Sequence, residues 1–433
     1  EQAEKISSYY SSNIKNIDVE ALLKKAMEVL RRAENGKKRV EKTCDKQNNG
    51  NIVTKVRHIT NGPVCKQVKL TKKALVTGAA GFIGSELVKK LLSQGEQVIA
   101  VVRSSEEGYL WRLVDVFKHK NLRIDAVGDI SLPENLFKMR SLIKEARVIY
   151  HTAARPQYGG SSSKDLFEIL LNNAYLTALL AQLSATEKVK MVYTSSSAIY
   201  LQDDVSDKTI SEKDCLPINS DAADWATEIH ERLSAYVRGV LNGRQEKDPS
   251  HFIENLINFK DSRIMSIKDN GFYAISKILG EYSVAAMPQG LGISLRLNNV
   301  YGAAQRGEDV IALIVGRVLK QLEVRASTDT RSFVYVDDIV KATITAAQKT
   351  FSSNEVFILG SYWPVSMSEL VSAIIAYFPE YKHRGFVTQP AKQPLKAPSY
   401  DLTKAKEALG FDPIPFEKGL SETVNKIAQI IRR

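Results

Sequence analysis

From residue 73 onward, short runs of apolar, largely β-branched residues alternate with longer stretches whose apolar positions recur at helical spacing. The runs at 74–77, 97–102, 147–152 and 189–194 read as buried strands, and the stretches at 82–94, 133–145 and 164–184 as helices. A strand can be continuously apolar only when both of its faces are covered. The rhythm therefore predicts an α/β fold: a doubly wound parallel sheet with helices on both faces. Further strands are expected at 292–297, 332–336 and 355–359, with helices near 272–286, 308–320, 337–350, 367–378 and 416–432.

The first 72 residues follow a different pattern. Asp18 is an N-cap candidate for a helix carrying Leu22, Leu23, Ala26, Met27, Val29, Leu30 and Ala33, and Gly36 stops it. Segments 51–60 and 63–70, rich in Ile, Val and Thr, flank Asn61-Gly62, the dipeptide a tight hairpin turn prefers. The extension reads as a helix plus a hairpin.

Charge sharpens this division. Of the 60 Lys and Arg and 49 Asp and Glu in 433 residues, residues 1–73 hold 17 basic and 8 acidic, leaving a near-balanced remainder of 43 against 41. The extension's charges are mixed and carry no groove-reading motif, so a solvated helical face is expected and nucleic acid is not. With 44% hydrophobic and 25% charged residues, the chain is neither a disordered tail nor a collagen-like fibre. Cys44, Cys65 and Cys215 are too few and too scattered for a disulfide framework or a zinc pair, so no metal is expected and a cytoplasmic location is favoured. No uninterrupted apolar run reaches the ~18 residues of a membrane span, and no membrane partner is expected.

Three motifs carry chemistry. Residues 74–84, ALVTGAAGFIG, place Gly78, Gly81 and Gly84 between a strand and a helix: one for the tight turn, one for close approach to a pyrophosphate, one for helix packing. At the end of the second strand stands Arg103-Ser104, where a carboxylate would repel a 2′-phosphate and a guanidinium would hold it, favouring NADP over NAD. Third, Tyr273 and Lys277 stand four apart on an expected helix, with hydroxyls Thr194, Ser195, Ser196 and Ser197 at an earlier strand end. An ammonium on the same helix face favours the phenolate, which can exchange a proton with a substrate oxygen while hydride moves to or from a nicotinamide.

With TGAAGFIG at 77–84, GDI at 128–130, HTAA at 151–154, YTSSSAIY at 193–200, YAISK at 273–277, LRLNNVYG at 295–302 and RSFVYVDDIVKA at 331–342, the chain resembles the extended short-chain dehydrogenase/reductase family. That family includes nucleotide-sugar epimerases, dehydratases and ketoreductases. The resemblance implies a Rossmann fold with a smaller C-terminal substrate-binding part, dividing the chain into the extension 1–72, a NAD(P)-binding domain 73–294 and an interleaved substrate part 295–433. It implies cofactor contacts from Gly78, Gly81, Phe82, Ile83, Gly84, Arg103, Ser104, Asp129, Ile130, Ala153, Ala154 and Lys277. It gives Tyr273 the acid/base role with Lys277 as partner, Ser196 the reacting oxygen, Asn173 an ordering role, and Ser197, Asn299 and Arg331 the substrate. Asn299 and Arg331 match positions that hold a nucleotide diphosphate, so the substrate expected is a small molecule, a nucleotide-linked sugar. The alternatives are an NADPH-dependent reductase of a non-sugar or carrier-bound carbonyl and, in another class, a non-catalytic dinucleotide sensor.

Two departures stand out. Residues 203–268 form a helical insertion, with helices expected at 221–241, capped by Ser220, and near 251–259. Beside the pocket it would act as a lid or wall; elsewhere, as a surface contact. Ser197 and Ala198 occupy the places where, by the resemblance, 4,6-dehydratases carry an Asp-Glu pair, so a 4,6-dehydratase is not expected. The family also implies a homodimer through a four-helix interface, here from helices near 164–184 and 272–286.

Overall fold

The computed structural model describes residues 73–103, 110–156, 163–200, 209–214, 220–245, 248–256, 271–305, 307, 309–383, 385–389 and 396–432. The expected helix and hairpin of the extension lie outside these residues. Of these, residues 73–428 belong to one unit, Lys72–Ala428.

Seven strands, β1 (Lys73–Thr77), β2 (Val98–Val102), β3 (Leu122–Ala126), β4 (Ala146–His151), β5 (Lys190–Ser196), β6 (Gly292–Leu297) and β7 (Glu355–Leu359), form one sheet in the order β7-β6-β5-β4-β1-β2-β3. Every pairing in it is parallel. The helices that matter below are α1 (Phe82–Ser93), α2 (Pro133–Glu145), α3 (Leu176–Thr186), α4 (Ser220–Leu241), α5 (Gly271–Ala285) and α6 (Val336–Gln348).

The apolar runs form strands because each is buried on both faces: every residue of β2 and of β6 is buried. Alternate side chains feed two cores. Ala74 and Val76 of β1 join the core shared with α1, α6 and the C-terminal part, while Leu75 joins the core shared with α2 to α5. Residues beyond 295 thus share a core with β1 and β2. The apolar stretch Asp165–Thr186 is long enough to cross a membrane by length and composition alone, but 78% of its most apolar 18-residue window is buried inside the fold.

The structure differs from the sequence pattern in four places. β3 was not expected, because LRIDA mixes charge with apolar residues; it is an edge strand, mostly half-buried, and needs only one apolar face. The strand expected at 332–336 forms at Phe333–Tyr335 but pairs with Asn299–Tyr301 outside the main sheet. The expected helix 164–184 is broken by a π-helical turn, Leu170–Tyr175. Ser220 is the first residue of α4.

α4 packs against α3 and α5, burying Trp225, Ala226, Ile229, Leu233 and Val237. The outer face of that helix pair is therefore covered by the chain itself.

Candidate active site

A cleft of about 1380 Å³ opens at the carboxyl ends of the strands, where the sheet order reverses between β1 and β4. Its cofactor end is built by glycine. Gly78 has φ +68°, and a side chain there would lie 2.7 Å from the Ala153 backbone; one at Gly84 would strike the Gly78 carbonyl. β1, the segment after β4 and the start of α1 are therefore in backbone contact. Gly81 caps α1, whose N-terminus favours a phosphate.

Phe82, Ile83, Arg103, Asp129, Ile130, Ala153 and Ala154 line the same wall; Ser104 lies outside the described residues. Asp129 accepts hydrogen bonds from Ser131 N (2.9 Å) and Oγ (2.6 Å), fixing the turn that leads into α2. Arg103 is exposed at the end of β2 and donates to Asn172 Oδ1 at 2.8 Å. A side-chain-free cradle, a helix N-terminus and a guanidinium at the strand end fit a dinucleotide.

The reacting groups come from β5 and α5. Tyr273, Lys277 and Glu281 recur every four residues on one face of α5. Lys277 is 2% exposed and donates to the Thr194 carbonyl at 2.9 Å, with Nζ 5.6 Å from the Tyr273 ring centre and 5.1 Å from that of Tyr193. Burial pushes its pKa down to about 7, against the opposing pull of the Glu281 carboxylate.

The three serines separate by orientation. Ser195 donates to Glu281 Oε1 at 2.5 Å. Ser196 lines the cleft, and its Oγ accepts from Ala198 N at 3.1 Å, leaving its O–H free for a ligand. Ser197 is buried and is not in the cleft wall, which sets it apart from the substrate contact the resemblance implied.

Asn173 stands behind the wall rather than in it. Its Oδ1 accepts from Arg155 N (2.7 Å), and its Nδ2 donates to Arg155 O (2.9 Å) and Ser276 Oγ (3.1 Å). Ser276 in turn donates to the Tyr273 carbonyl at 2.7 Å. The π turn that aims Asn173 inward thus ties the segment after β4 to the helix bearing Tyr273.

Sequence reasoning missed a buried ion pair. Arg296 of β6 meets Glu281 at 2.8 Å, their side chains 8% and 7% exposed, and Arg296 also contacts the Tyr200 hydroxyl. The signal was present: Glu281 continues the four-residue spacing of Tyr273 and Lys277, and Arg296 lies inside LRLNNVYG.

At the far end, Asn299 and Arg331 line the cleft. Asn299 donates Nδ2 to the Ser332 carbonyl at 3.0 Å. Among the described residues, the buried Arg331 Nε has no hydrogen-bond partner. No described residue of the 203–268 insertion lines the cleft.

The sequence model of the NAD dependent epimerase/dehydratase family matches residues 74–221 and 245–360. The chain belongs to that family and is an NAD(P)-dependent enzyme of the extended short-chain dehydrogenase/reductase class. Among curated relatives, it is 26% identical over 369 residues to a dTDP-4-dehydro-6-deoxy-D-allose reductase of Streptomyces sp, covering 81% of this chain and 95% of the relative. It is also 26% identical over 362 residues to a putative UDP-glucose 4-epimerase of Methanocaldococcus jannaschii, covering 81% and 97%. Solved structures share the fold. MoeE5 in complex with UDP-glucose and NAD superposes with a TM-score of 0.60 at 22% identity over 82% of this chain and 99% of that one. The UDP-glucuronic acid 4-epimerase of Bacillus cereus, in complex with UDP-glucuronic acid and NAD, gives 0.59 at 20% over 83% and 99%.

Proposed function

We propose that the protein moves hydride at a secondary alcohol or ketone carbon of a nucleotide-linked sugar, as an epimerase or ketoreductase. The observation that carries this reading is that Asn299 and the Arg331 guanidinium line the same cleft as Ser196, Tyr273 and Lys277. A diphosphate oxygen is the natural partner for a guanidinium fork.

Gly78, Gly81, Gly84 and the α1 N-terminus would hold the dinucleotide, which supplies hydride acceptance and return when bound. Tyr273 takes the proton from the substrate hydroxyl or returns it to the carbonyl. Lys277 stabilises the phenolate while charged, and Ser196 donates its O–H to the reacting oxygen. Arg103 favours NADP, which the ratio of NADP to NAD affinities in wild type and Arg103→Ala tests; an unchanged ratio contradicts it.

Arg331→Ala should weaken UDP-glucose binding by about 10- to 100-fold, as expected for a hydrogen bond to a charged group, and leave dinucleotide affinity unchanged. Unchanged UDP-glucose affinity in a calorimetric titration would count against the sugar-nucleotide reading.

A further inference from the structure

Asn172 lines the cleft, is 8% exposed, and belongs with Asn173 to the π turn Leu170–Tyr175. The two neighbours turn to different partners. Asn173 holds the segment after β4, whereas Asn172 Oδ1 accepts from Arg103 Nη2 at 2.8 Å, at the end of β2. β1 and its glycine turn stand between β4 and β2 in the sheet, so the π turn reaches both sides of the dinucleotide cradle. Arg103, like Asn172, lines the cleft.

The Asn172 amide can face only one way. Its Nδ2 donates to the Glu168 carbonyl at 2.8 Å, one helical turn back, and a carbonyl can only accept. On the other side a guanidinium can only donate, so the atom facing Arg103 is the oxygen. Both bonds agree on one orientation, and a flip would break both. The contact uses one of a guanidinium's five N–H groups. Because the acceptor is a neutral amide, it steadies Arg103 without bringing a charge that would repel a phosphate.

We propose that Asn172 is a positioning residue for dinucleotide choice: it holds the Arg103 guanidinium at the end of β2, aimed in advance at a 2′-phosphate, and so raises affinity for NADP relative to NAD. The proposal rests on the NADP reading of Arg103 above. A long side chain that must be immobilised on binding subtracts from affinity, and ordering it beforehand removes that cost.

The test measures NADP and NAD affinities of the full chain by calorimetric titration and reads their ratio. In Asn172→Ala the ratio should fall about three- to tenfold. Asn172→Leu, close in size and without the amide, should give the same fall, and it carries the test if Asn172→Ala does not fold. In the Arg103→Ala background neither substitution should move the ratio, because Asn172 acts through the guanidinium. An unchanged ratio in the single variants, or an equal fall in the Arg103→Ala background, would overturn the proposal while the NADP reading stands. A wild type without preference for NADP would remove that reading and the proposal with it.

Discussion

Lys277 sits between two tyrosine rings with one backbone carbonyl as its partner, so its charge is held at a cost in folding stability. The pH dependence follows from the sign of the shift. The folded pKa, about 7, lies below the ordinary 10.5, so the penalty is full below pH 7 and is relieved as pH rises toward 10.5, where the unfolded chain binds the extra proton. Wild-type stability toward urea should therefore gain a component rising between pH 7 and 10 that Lys277→Met lacks. Identical pH slopes in the two proteins would contradict a buried, strained ammonium. Tyr273 and Ser196 were legible as residues because their spacing and strand-end position are sequence properties. What the spacing along the chain does not show is the Glu281 carboxylate, which takes the Ser195 hydroxyl while Ser196 lines the cleft.

At the scale of elements, α5 and β6 are joined by the Glu281–Arg296 pair, with Ser195 and Tyr200 bound into it. Removing one partner leaves an uncompensated buried charge, so Arg296→Met should destabilise the fold by about 3–5 kcal/mol in a denaturant titration. The double variant Arg296→Met, Glu281→Leu should recover most of that loss; no recovery would show that Arg296 acts through packing alone. Strands β1, β2, β4, β5, β6 and β7 were readable because double-sided burial writes a continuous apolar run. β3 was not, because an edge strand with one covered face carries Arg123 and Asp125 among its five residues. The π turn at Leu170–Tyr175 has no apolar signature of its own, since it inserts one residue into an otherwise regular helical pattern.

For the molecule as a whole, the stretch that falls outside the family match carries a helix of its own. The family match breaks between residues 221 and 245, and that gap is filled by α4, Ser220–Leu241. The homodimer expected from the resemblance would use the faces of the helices near 164–184 and 272–286, yet α4 covers them with Trp225, Ile229, Leu233 and Val237. We therefore expect a monomer of 48.2 kDa in sedimentation equilibrium, and a particle of twice that mass would contradict the capping role. Among the described residues α4 lies away from the cleft wall, so charge substitutions on its exposed face should leave KM unchanged.

The central claim is that this cleft transfers hydride between a nucleotide sugar and a nicotinamide under the control of Tyr273. The most direct measurement mixes the full chain and oxidised dinucleotide with UDP-glucose deuterated at the sugar's secondary carbons, and follows deuterium into the nicotinamide by mass spectrometry. The account predicts transfer in the wild type, reduced about 10²- to 10⁴-fold in Tyr273→Phe, the range of a lost general acid/base, with dinucleotide binding retained. Dinucleotide bound without any deuterium transfer, or equal transfer in Tyr273→Phe, would contradict it.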